Sequence, residues 1–469
     1  MFMAAIEGTI VATAMPNIAG SLGNFALYSW VFSAYLLMQA VTTPMFGKLS
    51  DLYGRKPVFV IGVLVFLAGS VACGLAPSME WLIVFRLVQG IGAGAVQPTV
   101  STLAGDLFAF EERARVQGWL SSVWGLSAIL GPLAGGLIVE NFHWAWIFWI
   151  NVPFGLVSIL VVMLFLHEEI EKRRRSVDYA GLSLFLVGIS SLIVLLTQVA
   201  ALSWPARLGL LVAAAVFLVL FWRQEGRAPE PMMPLSLWRD RLVRAANIAS
   251  MGAGMVMIAV ITYVPTYAQG VLGTSALVAG FTLTTMSIGW PIASVAAGKL
   301  MVSRGTRFTA RAGGLALFTG SAMFTLLNAF PYALYAAASS LMVGVGMGLL
   351  MTTFLVAVQT RVDWAQRGAA TATNLLMRFL GNALGAALLG GVINASLMNF
   401  LRRTGLDEQV ALDDVTRLLG EGATFDAELA GLVSAGLSDA LGLAFLVMAG
   451  LGFVTLLVTF TVPELKRES

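Results

Sequence analysis

Three charged side chains lie deep inside apolar stretches of the sequence. They are Glu7 in IEGTIVATAMP, Arg86 in FRLVQGIGAG and Arg378 in NLLMRFLGN. A charge at the centre of a bilayer helix costs about 2.5 to 3.5 kcal/mol on insertion scales, so each is expected to have a function. The chemistry available to a buried carboxylate is proton exchange. Burial favours its neutral form and an approaching arginine favours the ionised one, so alternating those surroundings makes a proton carrier. Glu7 is the sole deep carboxylate and therefore the candidate for proton coupling, with Arg378 and Arg86 as candidate tuners. A counter-ion for substrate and a structural ion pair remain as rival roles. At 1.5 Å per residue, Glu7 falls roughly 21 Å below the outer end of its span, Arg378 roughly 16 Å above the cytoplasmic end of its own, and Arg86 ~8 Å from the outer end. Across a ~30 Å core this depth count levels Glu7 with Arg378 rather than with Arg86.

Around these charges run two polar stripes. Arg86, Gln89, Ala93 and Gln97 are spaced to share one helical face, as are Asn374, Arg378 and Asn382. Such faces are expected to line a cavity. Tyr35, Trp124, Tyr263 and Trp290, with a chain-wide supply of methionine, are candidates for its apolar walls and suit large lipophilic substrates.

The elements that must hold these residues are membrane helices. Of 469 residues 58% are hydrophobic and 11% charged, and apolar blocks of about 20 residues recur from end to end. Fourteen spans are expected, near residues 1–19, 28–47, 57–75, 82–103, 116–139, 147–166, 179–199, 206–222, 245–267, 277–298, 312–329, 333–356, 371–396 and 440–461. Lys and Arg are asymmetric across them: 22 fall on loops of one side, and only Arg207, Arg402, Arg403 and Arg417 on the other. The positive-inside rule then puts both termini in the cytoplasm. The net charge of +3 is a topology signal, and nucleic acid has no place in the account. A single cysteine, Cys73, excludes a disulfide framework, and the distant His143 and His167 make neither a metal nor a hydrolytic site. No cofactor, cleavable signal peptide or enzymatic activity is expected.

The chain also repeats itself. GKLSDLYGRK at 47–56 returns as GKLMVSRGTR at 298–307, and GIGAG at 90–94 as GVGMG at 344–348. Two parallel six-helix halves, 1–167 and 244–469, therefore flank two inserted spans and a cytoplasmic linker in 168–243. The second copy is degenerate, with Val302 where the first has Asp51, Ser340 for Arg86 and Thr360 for Asp106. A long outer loop, 397–438, is read as short amphipathic surface helices.

These motifs carry a resemblance. GKLSDLYGRKP resembles the signature loop of the major facilitator superfamily, RLVQGIGAG its fourth-helix motif, and Gly118, Gly131, Pro132, Gly135 and Gly136 its fifth-helix antiporter motif. With IEGTIVATAMP on the first helix and fourteen spans, the chain is similar to the fourteen-helix drug:proton antiporter family. It departs from that pattern at Glu7, where Asp is usual, at Leu52 and at Ser127. The resemblance implies an all-α major facilitator fold and a conformational latch of Gly47, Asp51, Gly54, Arg55, Asp106 and Arg367. It also implies a multi-pass monomer in a bacterial inner membrane that needs only a proton gradient and whose partners are small lipophilic substrates, protons and the bilayer. The expected function is proton-coupled export of lipophilic drugs or toxic amphiphiles. The alternatives are export of one endogenous metabolite or lipid, and a membrane sensor or scaffold on a transporter fold.

Overall fold

In the computed structural model, residues 1–22, 27–168, 178–197, 202–228, 231, 233, 236–274, 276–404 and 427–464 are described. These residues form helices and no strand. In chain order the helices are α1 (Phe2–Leu22), α2 (Tyr28–Tyr53), α3 (Arg55–Gly74), α4 (Met79–Leu107), α5 (Phe110–Asn141), α6 (Trp146–Trp149), α7 (Asn151–Phe165) and α8 (Tyr179–Thr197). They continue as α9 (Trp204–Glu225), α10 (Ser236–Arg239), α11 (Arg241–Gly270), α12 (Ala276–Arg304), α13 (Thr306–Phe324), α14 (Ala333–Arg361), α15 (Trp364–Thr404) and α16 (Ala427–Phe460). Each expected span overlaps helical chain, 147–166 covering α6 and α7 and 312–329 running five residues past α13. Ten among the described residues are long and apolar enough to cross a membrane. The other expected spans fall on α1, α2, α5 and α13.

The chain divides into two compact units. The first is Met1–Asn247 with Phe354–Met377, and the second is Ile248–Thr353 with Arg378–Ser469. The inserted pair, α8 and α9, belongs to the first, where Phe185 and Phe221 stack at 5.1 Å. Helix α15 runs to Thr404 and α16 begins at Ala427, so both ends of the expected 397–438 loop are helical, and its middle, with most of its acidic residues, lies outside the described residues.

The repeat is visible as packing. In the first unit Gly90 and Gly94 lie against α2 and Gly92 against α3, each leaving no room for a Cβ. In the second unit Gly344 and Gly348 lie against α12 and Gly346 against α13 in the same way. Small residues at helix contacts let backbones approach where lipid supplies no hydrophobic drive. The outward faces stay apolar: Leu160 and Leu164 on α7 and Leu211, Val212 and Val219 on α9 are all exposed. A surface of that kind matches hydrocarbon, not water.

Candidate functional site

Glu7 and Arg86 form the centre of a dry polar cluster in the first unit. Both side chains are buried, and Arg86 Nη1 reaches Glu7 Oε1 at 2.5 Å. The other carboxylate oxygen accepts from Asn151 Nδ2 at 2.7 Å. Arg86 also donates to Gln89 Oε1 at 2.7 Å and to the Val31 carbonyl at 3.1 Å. Gln89 in turn donates to Ser70 Oγ at 2.7 Å, which Asn151 Nδ2 also approaches at 3.3 Å. The guanidinium lies over the Tyr35 ring at 4.2 Å. Five helices thus converge on one carboxylate, and the apolar residues Ile6, Ile10, Phe148 and Leu82 close around them. Breaking a fully desolvated pair of this kind leaves an uncompensated charge and costs about 3 to 5 kcal/mol.

The depth count is therefore corrected. Glu7 is paired with Arg86, while Arg378 belongs to the second unit. Residue counting ties each helix to its own end and is blind to the offset and tilt between helices, which here exceed the margin that separated the two candidates. Gln89 is likewise bonded into the pair's support and does not stand free on a cavity wall. Gln97, two turns further along α4, is buried with its Oε1 unpartnered.

The fifth-helix motif acts on the helix that carries Glu7. A Cβ at Gly131 would meet Thr9, and one at Gly135 would lie 3.0 Å from the Ile10 carbonyl. The Thr9 hydroxyl donates across this contact to the Ser127 carbonyl at 3.1 Å. Gly118 is buried on the same helix, Gly136 faces open space, and Pro132 lies within α5. Two of the motif's glycines thus fix where α1 can sit.

At the other end of α2 a second charged cluster forms, also inside the first unit. Arg55 pairs with Asp51 at 2.6 Å and with Asp106 at 2.9 Å, and Asp106 pairs with Arg367 at 2.5 Å. Both Asp51 oxygens accept amides near the start of α15, from Gly368 and Ala369 at 2.8 Å each. A helix N-terminus presents partial positive charge, so a carboxylate suits it. Arg55 also donates to the Trp364 carbonyl at 3.1 Å and lies 4.5 Å above the Trp364 ring. Gly47 allows α2 to approach Ala372 and Gly368, and Gly54 turns the chain into α3 with φ 93°.

The remaining candidates are scattered. Trp124 is exposed on α5, and Tyr263 and Trp290 are half-buried in the second unit. Tyr263 donates to the Ala386 carbonyl at 3.4 Å. Asn374 donates to Asn247 Oδ1 at 3.1 Å in the first unit, and Asn382 Oδ1 is buried without a partner in the second.

Sequence reasoning missed Asn151, Ser70, Glu168 and Glu464. Asn151 opens an apolar helix and reads as its boundary, and Ser70 reads as a small packing residue. Glu168 in HEEIEK reads as a loop charge, yet its carboxylate accepts the Arg55 and Lys56 amides at 2.7 and 2.9 Å. Glu464 does the same for Thr306 and Arg307 at 2.8 and 3.3 Å. The partners of Glu168 and Glu464, and the Glu7 partner of Asn151, lie more than a hundred residues away along the chain, and no local pattern connects them.

Residues 1–386 match the Major Facilitator Superfamily model. Multidrug transporter protein MdtP of Bacillus subtilis is 35% identical over 92% of this chain and 80% of its own length. Multidrug resistance protein 3 of the same organism is 34% identical over 84% of this chain and 77% of its own. Among solved structures the human organic anion transporter MFSD10 superposes with a TM-score of 0.66 at 15% identity, over 98% of this chain and 96% of that one. That last likeness concerns the fold alone. The chain belongs to the Major Facilitator Superfamily and is a multi-pass membrane transporter, not an enzyme.

Proposed function

We propose that the protein is a proton-coupled antiporter that exports lipophilic compounds, a member of the fourteen-helix drug:proton group in a bacterial cytoplasmic membrane. The observation that carries this reading is the buried Glu7–Arg86 pair with Asn151 on its second oxygen. In this reading Glu7 is ionised while the pair is made. A proton delivered to Glu7 cancels the attraction and frees Arg86 and α4 to move, and remaking the pair expels the proton. Gly131 and Gly135 tie α5 to the same stretch of α1, so a shift at Glu7 is passed to the fifth helix. The cluster of Asp51, Arg55, Asp106 and Arg367 serves as the latch of one conformation, holding the start of α15 until those bonds part. In this reading the protein works as a monomer with both termini in the cytoplasm. Multidrug names among the relatives support a broad lipophilic cargo.

The test is a panel of neutral, cationic and anionic lipophilic dyes offered to purified protein in vesicles with an imposed pH gradient. Wild type is expected to concentrate at least one class, and Glu7→Gln to bind it without concentrating it. Glu7→Asp keeps the carboxyl and is expected to retain part of the activity. Accumulation by Glu7→Gln at the wild-type rate overturns the mechanism.

A further inference from the structure

Arg378 lies fourteen residues inside α15, far from either helix end. Its Nε is buried without a hydrogen-bond partner, and no carboxylate among the described residues pairs with it. Its recorded neighbour is the adjacent Phe379 ring, 5.5 Å from the guanidinium. The other deep arginine, Arg86, by contrast pairs with Glu7 and also donates to Gln89 and Val31. Arg311 Nε is likewise buried without a partner, but Arg311 sits within two turns of the start of α13, over the Phe460 ring, and not deep within a long helix.

The sequence explains why Arg378 stays unpaired. Between Asp240 and Asp407 the chain holds one acidic residue, Asp363, and that residue falls in the first unit. Helices α11 to α15 therefore bring no carboxylate to the membrane-embedded part of the second unit. The Arg378 side chain as a whole is half-buried, and a partly desolvated cation without a counter-charge is costly, a cost that an incoming anion would offset. One turn beyond Arg378, Asn382 Oδ1 is a buried acceptor that is also unpartnered. Beside both runs α11, where Gly254 backs onto the Arg378 carbonyl and the backbone at Met251 and Met255, two half-buried methionines, closes on Gly381 and Gly385. The place thus combines a planar cationic fork and an acceptor beside a closely packed helix that carries methionines.

We infer that Arg378 is an anion subsite, and that the cargo this transporter holds best is a lipophilic compound bearing an acidic group, a carboxylate or sulfonate, seated on that guanidinium. The acid supplies the counter-charge that α11 to α15 lack, and the apolar body lies beside α11. A hydroxyl or amide N–H next to the acid can donate to Asn382. The direction of movement rests on the export reading above, but binding does not.

The experiment uses the full chain in nanodiscs and a matched pair of probes, 1-pyrenebutyrate and its uncharged amide, with affinities read by fluorescence at fixed pH and no gradient. Charge-assisted hydrogen bonds are worth about 1.5 to 3 kcal/mol, so wild type is expected to favour the acid by about ten- to a hundred-fold. In Arg378→Gln the two affinities are expected to converge while that of the amide stays within about twofold. The ratio is measured within each variant, so a reduced folded fraction does not alter it. Arg378→Lys, with the charge kept and the fork lost, is expected to restore part of the preference. Equal affinities in wild type, or a preference that survives Arg378→Gln, overturn the inference. Preferential binding of the acid without accumulation in energised vesicles supports the subsite and overturns the export reading instead.

Discussion

At Gly54 the chain passes from α2 into α3 with φ 93°, and 251 residues later Gly305 takes it from α12 into α13 with φ 86°. A backbone of this kind is nearly reserved for glycine. Both new helices begin with two amides bonded to a glutamate that follows a distant helix, Glu168 in the first unit and Glu464 in the second. Beyond this shared frame the two places differ. The first adds Asp51, Arg55, Asp106 and Arg367 in one ionic cluster, and the second has Val302 where Asp51 would stand. The turn and the cap are what the fold requires, since both copies keep them. The ionic cluster is what one copy adds to that fold.

The largest expected effect tests that division. Asp51→Asn removes one partner of the buried Arg55 and the charge that two α15 amides address, and leaving a buried ion short of its partner costs about 3 to 5 kcal/mol. Asp106 still pairs with Arg55, so the lower end of that range is expected. Val302→Ala at the corresponding place trims a half-buried side chain and is expected to cost about 1 kcal/mol. Thermal unfolding in detergent measures both. Equal losses would mean that the second loop depends on its side chains as much as the first, and the contrast would be lost.

A smaller effect is expected where the copies agree. Glu168→Gln and Glu464→Gln each keep an oxygen and lose the charge at a helix N-terminus, so each is expected to cost about 1 kcal/mol. The two caps share no partner, and the double variant is expected to show the sum within about 0.5 kcal/mol. A loss confined to Glu168→Gln would show that the cap serves the neighbouring ionic cluster and is not a requirement of both repeats.

How far the sequence could be read follows the same line between frame and chemistry. The repeat, the helices and the members of the ionic cluster were legible, because glycines at fixed spacing and charges flanking a turn leave a local mark. Glu7 was legible as a lone acid in an apolar helix. Its partner was not, because Arg86 and Arg378 are both single arginines on polar stripes, and choosing between them needs the offset of helices that residue counting does not contain. Asn151 is 144 residues from Glu7 and occupies a position where any helix-starting residue would look ordinary. Arg378 shows the converse: what marks it is the absence of an acid from five successive helices, a pattern visible in the sequence only once the pairing of Arg86 is known.

A last contrast, and the smallest in energy, lies between the buried cluster and an ion pair nearer to water in the same unit. Asp240, just before α11, accepts the Leu242 and Val243 amides at 2.8 and 3.2 Å and pairs with Arg361 at 2.7 Å. Burial alone would push this carboxyl up, but the Arg361 guanidinium and the two amides outweigh it and hold Asp240 below the usual carboxylate range. The unfolded chain binds the proton more readily than the folded one. The pair's contribution is therefore fully present above the unfolded value of about 3.9 and is lost as pH falls through the lower folded value. Arg361 is 58% exposed, which keeps that contribution below about 1 kcal/mol. Asp240→Asn is thus expected to lower stability by a small constant amount from about pH 5 to pH 8, with the gap to wild type closing as pH falls through the lowered folded value. Raising salt to about 1 M shortens the screening length to ~3 Å and is expected to shrink this gap while leaving the cost of Asp51→Asn nearly unchanged. Denaturation at three pH values and two salt concentrations separates the cases, and a salt-sensitive Asp51→Asn would show that water reaches the ionic cluster as well.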